Sequence, residues 1–243
     1  MSSKPTIRLY WQDDTCFENL ATVLEIQENR LAVDRTCFFP GGGGQPADEG
    51  TLVLPSGESI GITTMQAGDE GVLWHICEKP LSVDLVGQSV TLRLNQQRRL
   101  LLMRYHTVLH ILNTTVLQQY DGWITGVQIG TEQSRIDFKW EGFSPALCGE
   151  VETMVNRVIE EDHLLKSYFV SEAEFQQRSD LLRTLEAKPP IINGQVRVVE
   201  IEGFDAQACG GTHVHRTSEV GRFSIWRTEN KGKINKRLYV RLA

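Results

Sequence analysis

From Gln96 to Tyr120 the chain runs without a glycine or a proline, and Leu100, Leu101, Met103, Val108, Leu109, Ile111, Leu112 and Val116 recur through it at helical spacing. Such a run predicts one long helix, capped by Asn95 and stopped at Asp121-Gly122. The chain before it has a different period. Short apolar stretches at Leu31–Val33, Gly50–Leu54, Ser59–Thr63 and Gly71–Ile76 are separated by Asp-Glu-Gly, Pro-Ser-Gly and Gly-Asp-Glu-Gly turns. They predict a small β-barrel over residues 1–90, with Asn19–Ile26 opening as either a short helix or a strand and a linker near Leu81–Val90. After the helix, Trp123–Gly130 and Ser134–Trp140 alternate like a β-hairpin, and a second helix is expected from Ser144-Pro145 to about Asp162. A strand at Lys166–Val170, a helix capped by Ser171, a strand at Val196–Ile201 and a hairpin turning through Glu229-Asn230-Lys231-Gly232 complete an α+β region over 91–243.

The long helix carries His106 and His110 four residues apart, and Cys209-Gly210-Gly211-Thr212-His213 repeats that spacing with a thiol and a third imidazole. Residues i and i+4 lie one above the other on a helix face, about 6 Å apart along the axis, so the two imidazoles can converge on one ion. Alone, His-x-x-x-His is better read as a helix with two unrelated histidines, because only the His-Glu-x-x-His form is specific. With Cys209 and His213 the donors form the nitrogen and sulfur mixture that zinc accepts in tetrahedral geometry, and the glycine pair lets the backbone turn to present both. We therefore expect Zn2+ held by His106, His110, Cys209 and His213. His75 and His163 are read as structural, and His215 as a surface residue.

Within the barrel region stands Gly41-Gly42-Gly43-Gly44-Gln45. Consecutive glycines are costly in conformational entropy, so they mark either a backbone that approaches something closely or a flexible turn. The spacing is not that of a phosphate-cradling loop.

The net charge of −6 speaks against a polyanionic partner, but the charge is uneven. Residues 1–90 hold 5 basic and 13 acidic side chains; residues 216–243 hold 8 basic and 2 acidic. The C-terminal stretch is thus the local foothold for a nucleic acid. Five cysteines without regular spacing argue against a disulfide framework, with Cys16, Cys37, Cys77 and Cys148 read as small buried hydrophobes. No apolar run has membrane-spanning length and the start, Met1–Tyr10, lacks a signal-peptide core, so a cytoplasmic protein with no membrane partner is expected.

His106-x-x-x-His110 with Cys209-Gly210-Gly211-Thr212-His213-Val214 resembles the editing domain of alanyl-tRNA synthetase, and the whole chain resembles its free-standing relatives, the AlaX-type alanyl-tRNA editing proteins. Phe39–Gly50 is similar to the family's Gly-Gly-Gln loop, and Val127-Gln128-Ile129-Gly130 with Arg135–Phe138 to the segment after its first helix. Phe204-Asp205 and Val220–Phe223 fit the surroundings of the Cys-Gly-Gly-Thr-His motif. Threonyl-tRNA synthetase editing domains are similar to the second half only. The resemblance implies a zinc-dependent hydrolase that removes serine, and glycine as a further candidate, from mischarged alanine tRNA and so protects translational fidelity. A synthetase pocket for a small amino acid cannot strongly reject an isostere with an added hydroxyl, which gives a second pocket its purpose. Thr107 and Gln128 are the expected catalytic-site residues, Gly42, Gly43 and Gln45 the substrate-binding ones, and Asp205 a carboxylate behind an imidazole. If all four ligands bind at once the zinc site is closed, and His213 is the ligand expected to yield. Without a synthetase's other domains, tRNA contact is expected from the basic C-terminal stretch and from Arg93, Arg98, Arg99 and Arg104, by phosphate contacts that position without reading sequence. A monomer is expected. The rival reading is a non-catalytic zinc-stabilised RNA-binding module; a zinc hydrolase of another ester is a third.

Overall fold

A computed structural model of the chain describes residues 4–183 and 189–243. Met1–Ser3, on which the reading of the chain's start partly rests, lie outside the described residues. The chain divides into two compact units, residues 1–42 with 46–100, and residues 43–45 with 101–243.

The first unit is built on β1 (Ile7–Arg8), β2 (Glu18–Gln27), β3 (Arg30–Val33), β4 (Arg35–Thr36), β5 (Gly50–Val53), β6 (Ser59–Ala67), β7 (Leu73–Cys77) and β8 (Ser89–Leu94). Six of them close a barrel in the order β2-β3-β7-β6-β5-β8, while β1 and β4 form a small parallel pair. Apolar residues alternate along these strands, so Val23, Leu52, Ile60, Ile62, Val90 and Leu92 all point into one core. The undecided Asn19–Ile26 stretch is strand β2. The expected linker is not a linker in its last part: β8 pairs with both β2 and β5, and it is the stave that closes the barrel.

The glycine-rich loop has a firm neck in this unit. Asp48 N donates to Phe39 O at 3.0 Å, and Phe39 N donates to Asp48 Oδ2 at 2.7 Å. Arg99 closes on the same carboxylate and donates to Cys37 O at 2.7 Å and Asp14 O at 2.9 Å, its side chain fully buried. Arg99 is therefore no phosphate contact. Arg98, half-buried, donates to Ala47 O at 2.8 Å and pairs with Glu49 at 3.1 Å. Both arginines hold the loop's exit.

The second unit contains α1 (Gln96–Tyr120) from Leu101 onward, then β9 (Trp123–Gln128), β10 (Ser134–Lys139), α2 (Leu147–Glu160), β11 (Leu165–Ser171), α3 (Glu172–Gln177), β12 (Ile191–Ile192), β13 (Gln195–Ile201), β14 (Asp205–Ala208), β15 (Phe223–Asn230) and β16 (Asn235–Leu242). One antiparallel sheet has the order β15-β16-β10-β9; another has β11-β13-β12, with β14 also on β13. Asn95 caps α1 as expected, accepting from Arg98 N at 3.1 Å. From Leu102 to Val116 the helix is buried nearly all round, which makes it a core helix rather than a surface one. Ser171 caps α3, accepting from Glu174 N. Two boundaries differ from expectation. α2 starts at Leu147, because Ser144 and Pro145 are used in a preceding turn through Leu147 N to Ser144 O and Cys148 N to Pro145 O. The last hairpin turns later, since Glu229 and Asn230 are still paired with Arg237 and Lys236.

None of the described cysteines is in a disulfide; Cys37 and Cys77 are buried as expected, whereas Cys16 and Cys148 are only partly so. No described helix is long and apolar enough to cross a membrane.

Candidate metal centre

In the second unit, α1 and the turn after β14 bring His106, His110, Cys209 and His213 together, their ligand atoms all within 4.8 Å of one another. His106 Nε2 lies 3.5 Å and His213 Nε2 3.4 Å from Cys209 Sγ. A tetrahedral ion with bonds of about 2.05 Å to nitrogen and 2.3 Å to sulfur sets those atoms roughly 3.6 Å apart, so the observed spacing fits one. The three rings crowd together, with centroids 5.0 Å apart for His106–His110, 4.3 Å for His106–His213 and 4.5 Å for His110–His213.

All three imidazoles are held neutral. Burial pushes His110 down to about 3, with the Arg183 and Arg197 guanidiniums adding to it. Burial also lowers His106 and His213 well below the usual histidine range, helped in each by neighbouring imidazoles and Arg197. Three like cations cannot share such a volume, whereas three neutral rings beside a thiol form a donor set that can hold a metal ion.

Each imidazole's second nitrogen decides which one is free to ligate. His106 Nδ1 donates to Gln45 Oε1 at 2.8 Å, and the same oxygen accepts from Thr212 N at 3.1 Å. Gln45 Nε2 donates to Thr212 Oγ1 at 2.8 Å. His213 Nδ1 and Thr107 Oγ1 are hydrogen-bonded at 3.1 Å, and the same hydroxyl oxygen accepts from Val214 N at 3.3 Å. Gln45 thus fixes His106 in the tautomer that leaves Nε2 without a proton facing Cys209, and Thr107 holds the His213 ring with its Nε2 toward the same sulfur. The sequence reading set Gln45 and Thr107 against the substrate; their polar groups instead lie behind the imidazoles, both residues buried. Gly211 is there because His106 is: a Cβ on it would strike His106 Cε1 and stand 2.6 Å from His106 Nδ1.

Gly43 and Gly44 belong to this unit with Gln45. Gly41, Gly42, Gly43 and Gly44 have φ of +87°, +132°, +58° and +85°, a left-handed run that explains why the sequence has no side chain there. Gly44 O accepts from Ile129 N at 2.8 Å, and a Cβ on Gly44 would meet Val127 Cγ1 at 2.7 Å. The loop tip is therefore fastened to the end of β9 on one side and to His106 on the other. Nothing would crowd a Cβ on Gly42 or Gly43.

Gln128, exposed at the end of β9, accepts from Arg135 Nε at 2.8 Å. It lines a cleft of about 240 Å³ with Gly130, Gln133, Ser134, Arg135 and Tyr239. Asp205 does not back an imidazole. It accepts from Thr114 Oγ1 at 2.7 Å and Gln207 Nε2 at 2.8 Å and pairs with Arg183. Its place beside the site is one step removed, because Gln207 Nε2 also lies 3.3 Å from His110 O. Arg197, which the sequence reading passed over, is buried and donates to Gly211 O at 2.7 Å, bracing the Cys209 turn. A charged residue inside the apolar run Val196–Ile201 was its signal. Arg104 donates to Val220 O and Ala243 O, and exposed Arg93 pairs with Glu18. His75 and His163 are satisfied within the fold, and His215 is exposed, as expected.

A barrel and an α+β unit with a largely buried His/His/Cys/His cluster define a recognisable class. Residues 10–98 match the family described as tRNA synthetases class II (A), and residues 196–239 the threonyl and alanyl tRNA synthetase second additional domain. The alanyl-tRNA editing protein AlaX-M of Methanosarcina mazei is 35% identical, over 98% of this chain and 96% of that protein. Its counterpart in Saccharolobus solfataricus is also 35% identical, over 96% and 98%. The alanine–tRNA ligase of Korarchaeum cryptofilum is 36% identical over 92% of this chain but only 25% of the ligase. The chain belongs to the AlaX-M family of alanyl-tRNA editing proteins.

Proposed function

We propose that this protein is a trans-editing hydrolase that cleaves the ester between serine and the terminal adenosine of alanine tRNA, with glycine as a second substrate to be tested. One observation carries the reading: the ligand atoms of His106, His110, Cys209 and His213 converge within 4.8 Å of one another in a chain that matches named alanyl-tRNA editing proteins over nearly its whole length.

Zinc suits the donor set, and when bound it supplies Lewis acidity toward a carbonyl oxygen and makes a water easier to deprotonate. The protein's own contribution is orientation. Gln45 and Thr107 hold His106 and His213 with Nε2 presented, and Arg197 braces the turn that carries Cys209. Gln128 is our choice for recognition of the misattached side chain. With its oxygen engaged by Arg135, its amide hydrogens are left to donate to a serine hydroxyl. A site that requires such a hydrogen bond can reject the analogue lacking it by about 10⁴–10⁵, which would spare alanine; glycine lacks the hydroxyl too, so rapid cleavage of its ester would take this role from Gln128.

The test is deacylation of seryl-, glycyl- and alanyl-tRNA(Ala) by the purified protein and by a His106→Ala, Cys209→Ala double variant, with metal content measured alongside. Rapid loss of serine, retention of alanine and inactivity of the variant are expected. Zinc-loaded protein that binds the tRNA but cleaves none of the three esters would make it a zinc-stabilised RNA-binding module.

A further inference from the structure

The sheet β15-β16-β10-β9 has two unlike faces. Along β16, Leu238 and Val240 are buried, whereas Arg237, Tyr239 and Arg241 point the other way; along β10, Ile136 and Phe138 are buried and Arg135 and Asp137 are not. Cross-strand register then sets Gln128, Arg135, Tyr239 and Arg227 in one row across all four strands. A β-bulge between Ile225 and Arg227 adds Trp226 at the β15 end. Trp226 is 42% exposed; the other aromatic among the exposed large hydrophobic residues described, Phe169, lies on β11 in the other sheet. Its ring centroid lies 6.1 Å from that of Tyr239. The Arg241 guanidinium sits 4.0 Å over the Trp226 ring and that of Arg227 4.9 Å over Tyr239.

An exposed tryptophan costs solubility, and a bulge that turns one outward among arginines calls for a partner with flat apolar faces and negative charge. Single-stranded nucleic acid has both: bases stack on aromatic rings and on guanidinium planes, and phosphates pair with the cations between them. The charge on this face is partly internal, since Asp137 pairs with Arg237 and Arg135, and Glu229 with Lys231. Among the described residues Arg241 has no carboxylate partner and stays exposed. The direction of the row matters as much as its chemistry. It runs about 14 Å across three strand spacings, and ends at Gln128, next to Ile129, whose amide holds Gly44 beside Gln45 and His106.

We propose that the outer face of this sheet, from Trp226 through Tyr239 and Arg135 to Gln128, is a stacking platform for the unpaired 3′ end of the tRNA, with Trp226 and Arg241 taking a base and a phosphate upstream of the aminoacylated adenosine. This rests on the editing reading only for which RNA is bound, so the decisive measurement is binding, not hydrolysis.

The probes are uncharged alanine tRNA and the same tRNA trimmed of its unpaired 3′ nucleotides. Wild-type protein should bind the intact RNA at least tenfold more tightly than the trimmed one, and Trp226→Ala should erase most of that difference while Trp226→Phe preserves it. Arg241→Ala should weaken binding of intact RNA and reduce the salt slope by about one. Unchanged metal content and circular dichroism in Trp226→Ala certify the fold, since the residue is exposed. Equal affinity of wild type for intact and trimmed RNA, equal affinity of Trp226→Ala and wild type for intact RNA, or no RNA binding by folded protein each overturns the proposal. If the trimming and Trp226 effects appear but no ester is cleaved, the platform stands and the editing reading fails.

Discussion

The two units each bury histidine, and they do it differently. In the barrel, His75 is sealed at both ring nitrogens: Nδ1 donates to Leu31 O at 3.3 Å, and Nε2 accepts from Thr36 Oγ1 at 2.8 Å. In the second unit, His106 and His213 are tied at Nδ1 to Gln45 and Thr107, and direct Nε2 at Cys209 Sγ. Burial lowers the pKa in both places. The shift therefore does not separate a structural histidine from a ligand; the occupation of the second nitrogen does. The predictions below test that distinction.

The largest effect should follow loss of a ligand. Cys209→Ala or His106→Ala should abolish stoichiometric metal and reduce deacylation by about 10³-fold or more, as several kcal/mol of carbonyl polarisation is lost. Metal analysis and single-turnover hydrolysis measure both. Replacing His75 by Gln should leave metal content untouched. Metal loss in that variant would erase the contrast between the units.

His75 makes its own prediction. Burial holds it at about 4, against an ordinary value of 6.5. Between those values the unfolded chain binds a proton that the folded barrel refuses, so stability is full above pH 6.5 and falls as pH drops toward 4. The difference amounts to about 3 kcal/mol. Denaturation midpoints followed across that window should slope in wild type and slope less steeply, by one proton, in His75→Gln, because His106, His110 and His213 are lowered by burial too. Parallel slopes would mean that another group carries the acid sensitivity.

How much of this contrast was legible in the sequence follows from what kind of signal each part leaves. The ligand quartet was readable because i, i+4 spacing on a glycine-free, proline-free run is local, and Cys-Gly-Gly-Thr-His repeats it. The barrel was readable from alternation and turns, but β8 was not, because Ser89-Val90-Thr91-Leu92-Arg93-Leu94 runs into the helix with only the capping Asn95 to separate them. Long-range partners leave no such trace. Gln45 meets His106 across 61 positions and Thr107 meets His213 across 106, so sequence could place the side chains near the site but not say which way they faced. Arg99 failed as a phosphate contact for the same reason, since the carboxylate of Asp48 that buries it lies about fifty residues upstream.

Gln45→Ala sharpens the contrast from the ligand side. Removing the acceptor at Nδ1 lets the His106 ring turn, and outer partners of this kind are worth about 10–100-fold in metal affinity or activity. Gln45→Glu keeps an oxygen for both His106 Nδ1 and Thr212 N and should recover most of the loss. A metal titration separates the outcomes: full affinity in Gln45→Ala with a raised KM would return Gln45 to the substrate side.

Thr107 is the finer case, because its hydroxyl serves one imidazole and the Val214 amide, where Gln45 has three hydrogen bonds to offer. Thr107→Val preserves volume in a fully buried position but leaves His213 Nδ1 and Val214 N without that hydroxyl. We expect a loss of about tenfold in metal affinity, at the low end for such partners, with KM unchanged and Thr107→Ser close to wild type. The serine-to-glycine selectivity decides what kind of residue it is. A group that only aligns His213 lowers hydrolysis of both esters by the same factor. A hydroxyl that touches the substrate lowers serine selectively while the metal stays in place, and that result would move Thr107 from behind the imidazole to in front of it.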